Sequence, residues 1–101
     1  MLFRSVLDNH GWEDARSDEK FYELNLTKVN PTFSKVSVYG FNVGNSVLKI
    51  RNGGQLTDPA VKEVQVLEYG KIFILEEPIC PEGIRFEFDA KKVELYEIEV
   101  F

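Results

Sequence analysis

Cysteine, histidine, tryptophan and methionine occur once each in this 101-residue sequence. A single Cys excludes an intramolecular disulfide framework, and one His with one Cys excludes a zinc site built from those side chains. Long apolar stretches are missing too, because runs such as Ile72–Leu75 are far short of the ~20 residues a membrane helix needs. Met1–Leu7 lacks the apolar length of a signal peptide. We therefore expect no membrane span, and synthesis in the cytosol unless a leader was removed; a virion component fits that setting. Helix formers are scarce as well. Ala and Met together number four, against 29 Val, Ile, Phe and Tyr, which favour pleated surfaces.

Basic clusters are also lacking. The chain carries 17 acids and 12 bases, net −5, and the whole imbalance falls in residues 76–101. There Glu76, Glu77, Glu82, Glu87, Asp89, Glu94, Glu97 and Glu99 face only Arg85, Lys91 and Lys92. Such a surface repels phosphate backbones, so nucleic acid is not an expected partner. An acidic face of this kind either solvates the sheet or docks a basic protein.

What is present is alternation. Tyr22, Leu24 and Leu26 alternate with Glu23 and Asn25; Val36 and Val38 with Lys35, Ser37 and Tyr39; Ile84, Phe86 and Phe88 with Arg85, Glu87 and Asp89. Period two over short runs predicts half-buried antiparallel strands, near 2–7, 20–26, 34–41, 46–51, 61–68, 71–76, 83–89 and 92–101. Asn30-Pro31, Asn52-Gly53-Gly54 and a hairpin at Glu68-Tyr69-Gly70-Lys71, with Gly70 free to take positive φ, separate them. Pro78 and Pro81 bracket an extended link that cannot continue a central strand. Val93 and Leu95 share one parity while Tyr96, Ile98 and Val100 share the other. Either a β-bulge at Leu95–Tyr96 puts all five on one face, or the strand is buried on both sides. The expected fold is all-β, a single antiparallel β-sandwich of the jelly-roll kind spanning 1–101. Strands at both ends of the chain point to a complete small protein.

Trp12, then Phe21-Tyr22-Glu23-Leu24-Asn25-Leu26, then Phe33-Ser34-Lys35-Val36-Ser37-Val38-Tyr39-Gly40 resembles the front of a discoidin-like (coagulation-factor type C) domain. Gly83–Phe88 followed by Val93–Val100 is similar to that family's closing strands. The resemblance covers about residues 12–101 and implies a galactose-binding-like jelly roll, a non-enzymatic module binding glycans, lipids or proteins through loops at one end. The family carries a longer segment ahead of its Trp than the eleven residues here. That segment supplies part of the ligand loop and often a calcium site, so the resemblance leaves both open.

Residues 8–19 form a polar loop around the only Trp. A sugar site pairs an aromatic face with groups that hydrogen-bond hydroxyls. Trp12 can supply the face, and His10, Asp14 and Arg16 the bonds, joined by Asn42 and Arg51 from other turns. The plainer alternative is that Trp12 plugs the end of the core. No catalytic set is expected. His10 has no Gly-x-Ser-x-Gly partner, Cys80 reads as a buried inert thiol, and the paired carboxylates fit a solvated face. No cofactor and no metal are expected. The functional expectation is a non-catalytic binding or assembly module whose partner is a glycan or a protein. The alternative is a small structural or adaptor component of a larger assembly, with homo-oligomerisation open.

Overall fold

The computed structural model describes residues 21–88 and 93–101 fully, and 2–4 and 16–17 as backbone strands. Among the described residues ten strands run in chain order: β1 (Leu2–Arg4), β2 (Arg16–Ser17), β3 (Phe21–Asn25), β4 (Phe33–Phe41), β5 (Val47–Asn52), β6 (Gln55–Thr57), β7 (Val61–Leu67), β8 (Gly70–Ile79), β9 (Gly83–Glu87) and β10 (Glu94–Val100). All pairings are antiparallel. They build two sheets, A in the order β1-β10-β4-β8-β7 and B in the order β2-β3-β9-β5-β6.

The alternating side chains bury one face of each sheet against the other. Val36, Val38, Phe73, Leu75, Leu95, Ile98 and Val100 of sheet A meet Tyr22, Leu24, Leu48, Ile50, Ile84 and Phe86 of sheet B in one core. The rings of Phe73 and Phe86 cross between the sheets, centroids 6.3 Å apart and tilted by 42°. Burial pushes the Tyr22 hydroxyl well above the ordinary tyrosine range. Lys71 also occupies a core-facing position, opposite Val38. Its stem escapes to the end of the sandwich, where Nζ donates to the Ser46 carbonyl at 2.7 Å, and desolvation lowers its pKa.

The bulge at the end of the chain is present, but it sorts the residues differently from the expectation. Leu95 pairs with Gly40 and Glu97 with Tyr39, so Tyr96 is the extra residue. Leu95, Ile98 and Val100 are buried, Val93 packs partly against the core, and Tyr96 is exposed. Gly40 sets this geometry. A Cβ there would collide with the Glu94 carbonyl, so the close approach that accommodates the bulge needs a residue without one.

Other expectations need correction. Residues 55–57 form β6, because Gly53 (φ 57°) and Gly54 (φ 80°) close a tight hairpin with Asn52 opposite Gln55. Arg16–Ser17 pair with β3, so the polar segment contains a short strand. β8 runs through Pro78 to Ile79. Proline fits there because β7 leaves β8 at Leu75, and the β4 ladder shifts register between Phe33↔Ile79 and Lys35↔Ile74, so no paired N–H is required of it. Gly70 is absent from the positive-φ residues; the turn is Glu68-Tyr69, with Leu67 opposite Gly70. Cys80 is exposed, its thiol 3.1 Å from Asn30 Oδ1, because it sits between Ile79 and the buried Pro81 on the outward side of the link. β9 and β10 lie in different sheets, so Glu87 is not on the same face as Glu94, Glu97 and Glu99.

Phe86→Ala, which empties the centre of the core, is expected to cost about 3–5 kcal/mol in urea unfolding. Gly40→Ala should cost about 3 kcal/mol or more despite adding only a methyl group. A Gly40→Ala protein of wild-type stability would show that the bulge does not depend on this contact.

Candidate functional site

Three of the candidate sugar-binding residues, His10, Trp12 and Asp14, lie outside the described residues. Arg16 is placed at the β2 register position opposite Glu23. The other two, Asn42 and Arg51, are not brought together. Asn42 (φ 62°) turns the chain between β4 and β5, whereas Arg51 is at the far end of β5, beside the Gly53-Gly54 turn. One β-strand separates them, roughly 17–20 Å at the usual rise per residue.

Arg51 belongs instead to an ion-pair network on the outside of sheet B. Strand β9 lies between β3 and β5, with Gly83 beside Arg51 and Asn25, and Arg85 beside Glu23 and Lys49. Because Gly83 has no side chain, the Arg51 arm can cross β9. Its Nε donates to Glu23 Oε2 at 2.7 Å and its Nη2 to Oε1 at 3.0 Å, a two-pronged pairing, while Nη1 donates to the Gly54 carbonyl at 3.0 Å. Arg85 approaches Glu23 at 3.6 Å and Glu87 at 3.0 Å, and its guanidinium stacks 3.7 Å above the Phe21 ring. Lys49 pairs with Asp58 at 2.5 Å. The hydrogen bond from Arg51, helped by the charges of Arg51 and Arg85, holds the Glu23 carboxyl below its ordinary range, and the same pairing raises the Arg51 pKa. A guanidinium committed to one carboxylate and one carbonyl is a structural clamp, with little left to offer a ligand.

The outer face of sheet A is built differently. Tyr39 and Phe41 have the parity opposite to Val36 and Val38 and so face outward. The β10 bulge turns Tyr96 to the same side, and the β7–β8 hairpin brings Leu67 and Tyr69 alongside through the Gly40 N–H to Tyr69 C=O bond of 2.9 Å. The Tyr39 ring lies against Gly70, where a Cβ would be 2.8 Å from its Cδ1. Tyr69 and Tyr96 are 54% and 44% exposed, and Phe41 and Leu67 are similarly open. Carboxylates rim this cluster. Glu94 accepts from the Tyr96 hydroxyl at 3.3 Å and Glu97 stands opposite Tyr39. Partial desolvation, then the Glu94 charge, raises the Tyr96 pKa. Aromatic side chains at the centre with charges at the margin is the composition of a protein-recognition surface.

No sequence motif identified this cluster. Its members come from three strands and one turn, and Tyr96 reaches the outer face only because of the bulge. Among the described residues no group of three or more His, Cys, Asp or Glu is placed to hold a metal ion, and no helix is long and apolar enough to cross a membrane. No protein-family model, curated protein or solved structure matches the chain.

The Glu23 pairing makes a pH prediction. A carboxylate whose pKa is lower in the folded than in the unfolded state contributes stability above its unfolded pKa, and that contribution is lost as the pH falls through the folded value. Urea midpoints measured from neutral pH down through the carboxylate range should therefore fall less steeply for Glu23→Gln than for the wild type. Glu23→Gln should also be the less stable protein at pH 7. Parallel curves for the two proteins would remove Glu23 from the account.

Proposed function

We propose that this chain is a non-catalytic recognition and assembly module that binds a basic protein segment through the aromatic end of sheet A. The observation that carries the reading is the cluster of half-buried Tyr39 with exposed Phe41, Leu67, Tyr69 and Tyr96 on the outer face of sheet A, beside Glu94 and Glu97. Rigid aromatics give large contact area at small entropic cost, and the carboxylates steer and orient a cationic partner. The opposite face is covered by ion pairs among its own side chains.

The scaffold we propose is a jelly roll. Setting β2 and β7 aside, the strands fall in the orders β1-β10-β4-β8 and β3-β9-β5-β6. First pairs with last, and each chain half alternates between the sheets, as expected of two nested Greek keys. Glycan recognition through the Trp12 segment draws less support, because Asn42 and Arg51 do not converge.

Selection of a random peptide library on the immobilised full chain, with a Tyr69→Ala/Tyr96→Ala double variant as the control, tests the reading. The expected peptides are rich in Lys and Arg, bind more weakly as salt rises, and lose at least about tenfold in affinity on the double variant. Both tyrosines are exposed, so the variant should unfold within about 1 kcal/mol of the wild type. Peptides that bind both proteins equally would overturn the proposal. So would a saturable Trp12 fluorescence change with one sugar class and no peptide selected, which would move recognition to residues 8–19.

A further inference from the structure

Asn52-Gly53 is the only asparagine–glycine step in the sequence, and it lies exposed where the β5–β6 hairpin turns. Asparagine ahead of glycine is chemically labile. The nitrogen of the following residue attacks the side-chain carbonyl, and glycine presents no Cβ to obstruct it. The Gly53 nitrogen loses its proton and bonds to Asn52 Cγ, closing a succinimide, while the side-chain nitrogen leaves as ammonia. Water then opens the ring on either side. The product is aspartate or, with the peptide link moved to the side chain, isoaspartate. Nothing is oxidised or reduced, and water is the only co-reactant.

The fold places a carboxylate on the nitrogen that would attack. Asn52 pairs with Gln55, so Gly53 (φ 57°) and Gly54 (φ 80°) are the two loop residues. The Gly53 N–H has no place in the ladder and donates instead to Glu82 Oε1 at 2.6 Å. Glu82 is itself pinned at its main chain. Its N–H donates to the Arg51 carbonyl at 2.9 Å, and its carbonyl accepts from the Leu26 N–H at 2.8 Å. The carboxylate therefore reaches the hairpin from just ahead of β9, the strand next to β5.

We propose that Asn52 is a deamidation site of this chain and that Glu82, by holding the Gly53 N–H, slows the reaction while the hairpin is folded. The attacking species is the deprotonated nitrogen. A carboxylate oxygen at 2.6 Å keeps the proton in place and repels the negative charge that its loss would create. Carboxylates are far weaker bases than an amide anion, so this repulsion outweighs any help in removing the proton. Strand pairing adds a second restraint, because an extended Asn52 must rotate about its Cα–C bond before Cγ can reach the nitrogen. Isoaspartate would lengthen the main chain by one methylene, break the match of Asn52 with Gln55 and move the Gly54 carbonyl off Arg51 Nη1. Loss of β6 would expose six-residue β5 at the margin of sheet B, where three residues now stand.

Incubation of the full chain in mildly alkaline buffer, with residue 52 followed by peptide mapping and isoaspartate detection, tests the proposal. Folded wild type should react about tenfold or more slowly than the same chain in urea. Glu82→Gln, which keeps an acceptor without its charge, should react about threefold or more faster than folded wild type. In urea the two proteins should match. Glu82 also contributes to the field at Arg51, so the control is Glu23→Gln, which opens the clamp and leaves Glu82 in place. It should react like wild type. Equal rates for folded and urea-treated wild type would overturn the proposal. So would a Glu82→Gln protein as slow as wild type or slower, the mark of a carboxylate acting as base. Equal acceleration by Glu23→Gln would also overturn it, because loosening at the end of β5 would then set the rate.

Discussion

The backbone of β4 passes so close to β10 at Gly40 that no side chain can stand between them, and both faces of sheet A depend on that approach. An uninterrupted ladder continued from Ile98↔Val38 would place Tyr96 beside Gly40 and turn it into the core, leaving Leu95 outside. The bulge reverses the two. Leu95 joins Ile98 and Val100 between the sheets, where an apolar side chain contributes roughly 1.5–3 kcal/mol by leaving water, and Tyr96 keeps its hydroxyl in solvent beside Glu94. One local irregularity thus completes the core on one side and the aromatic cluster on the other.

The two outer faces solve the same problem by different means. Sheet B covers itself with Arg51, Arg85, Lys49 and their carboxylate partners, which excludes other strands and presents little unpaired charge. Its marginal strands are short. Sheet A ends in a seven-residue strand and carries exposed tyrosines on its outer face.

Most of the strand content was legible because alternation is a direct consequence of half-burial. Tyr22, Leu24, Val36, Val38, Ile84 and Phe86 are core residues, as their spacing requires. Pairing between distant segments was not legible. Nothing in the local pattern of 83–88 or 93–100 reveals that β9 enters sheet B while β10 enters sheet A, since that choice rests on the whole connectivity. Pro78 in β8 was unexpected because the rule against strand proline presumes a neighbour on each side, which β8 has lost by that point. β6 was readable in principle: Asn52-Gly53-Gly54 is a hairpin signal, and a hairpin needs a second arm. Within the candidate site, Arg51 is a polar residue beside a turn, and a partly buried salt bridge and a ligand contact use the same residue type. Only the position of Glu23 separates them.

The most direct test is the register of β10 against β4, read from cross-strand nuclear Overhauser effects in an isotopically labelled sample. The account predicts contacts of Leu95 with Gly40 and of Glu97 with Tyr39, with Tyr96 as the extra residue between them. Contacts of Tyr96 with Gly40 and of Leu95 with Phe41 would mean an unbroken ladder. They would contradict both the core and the aromatic cluster described above.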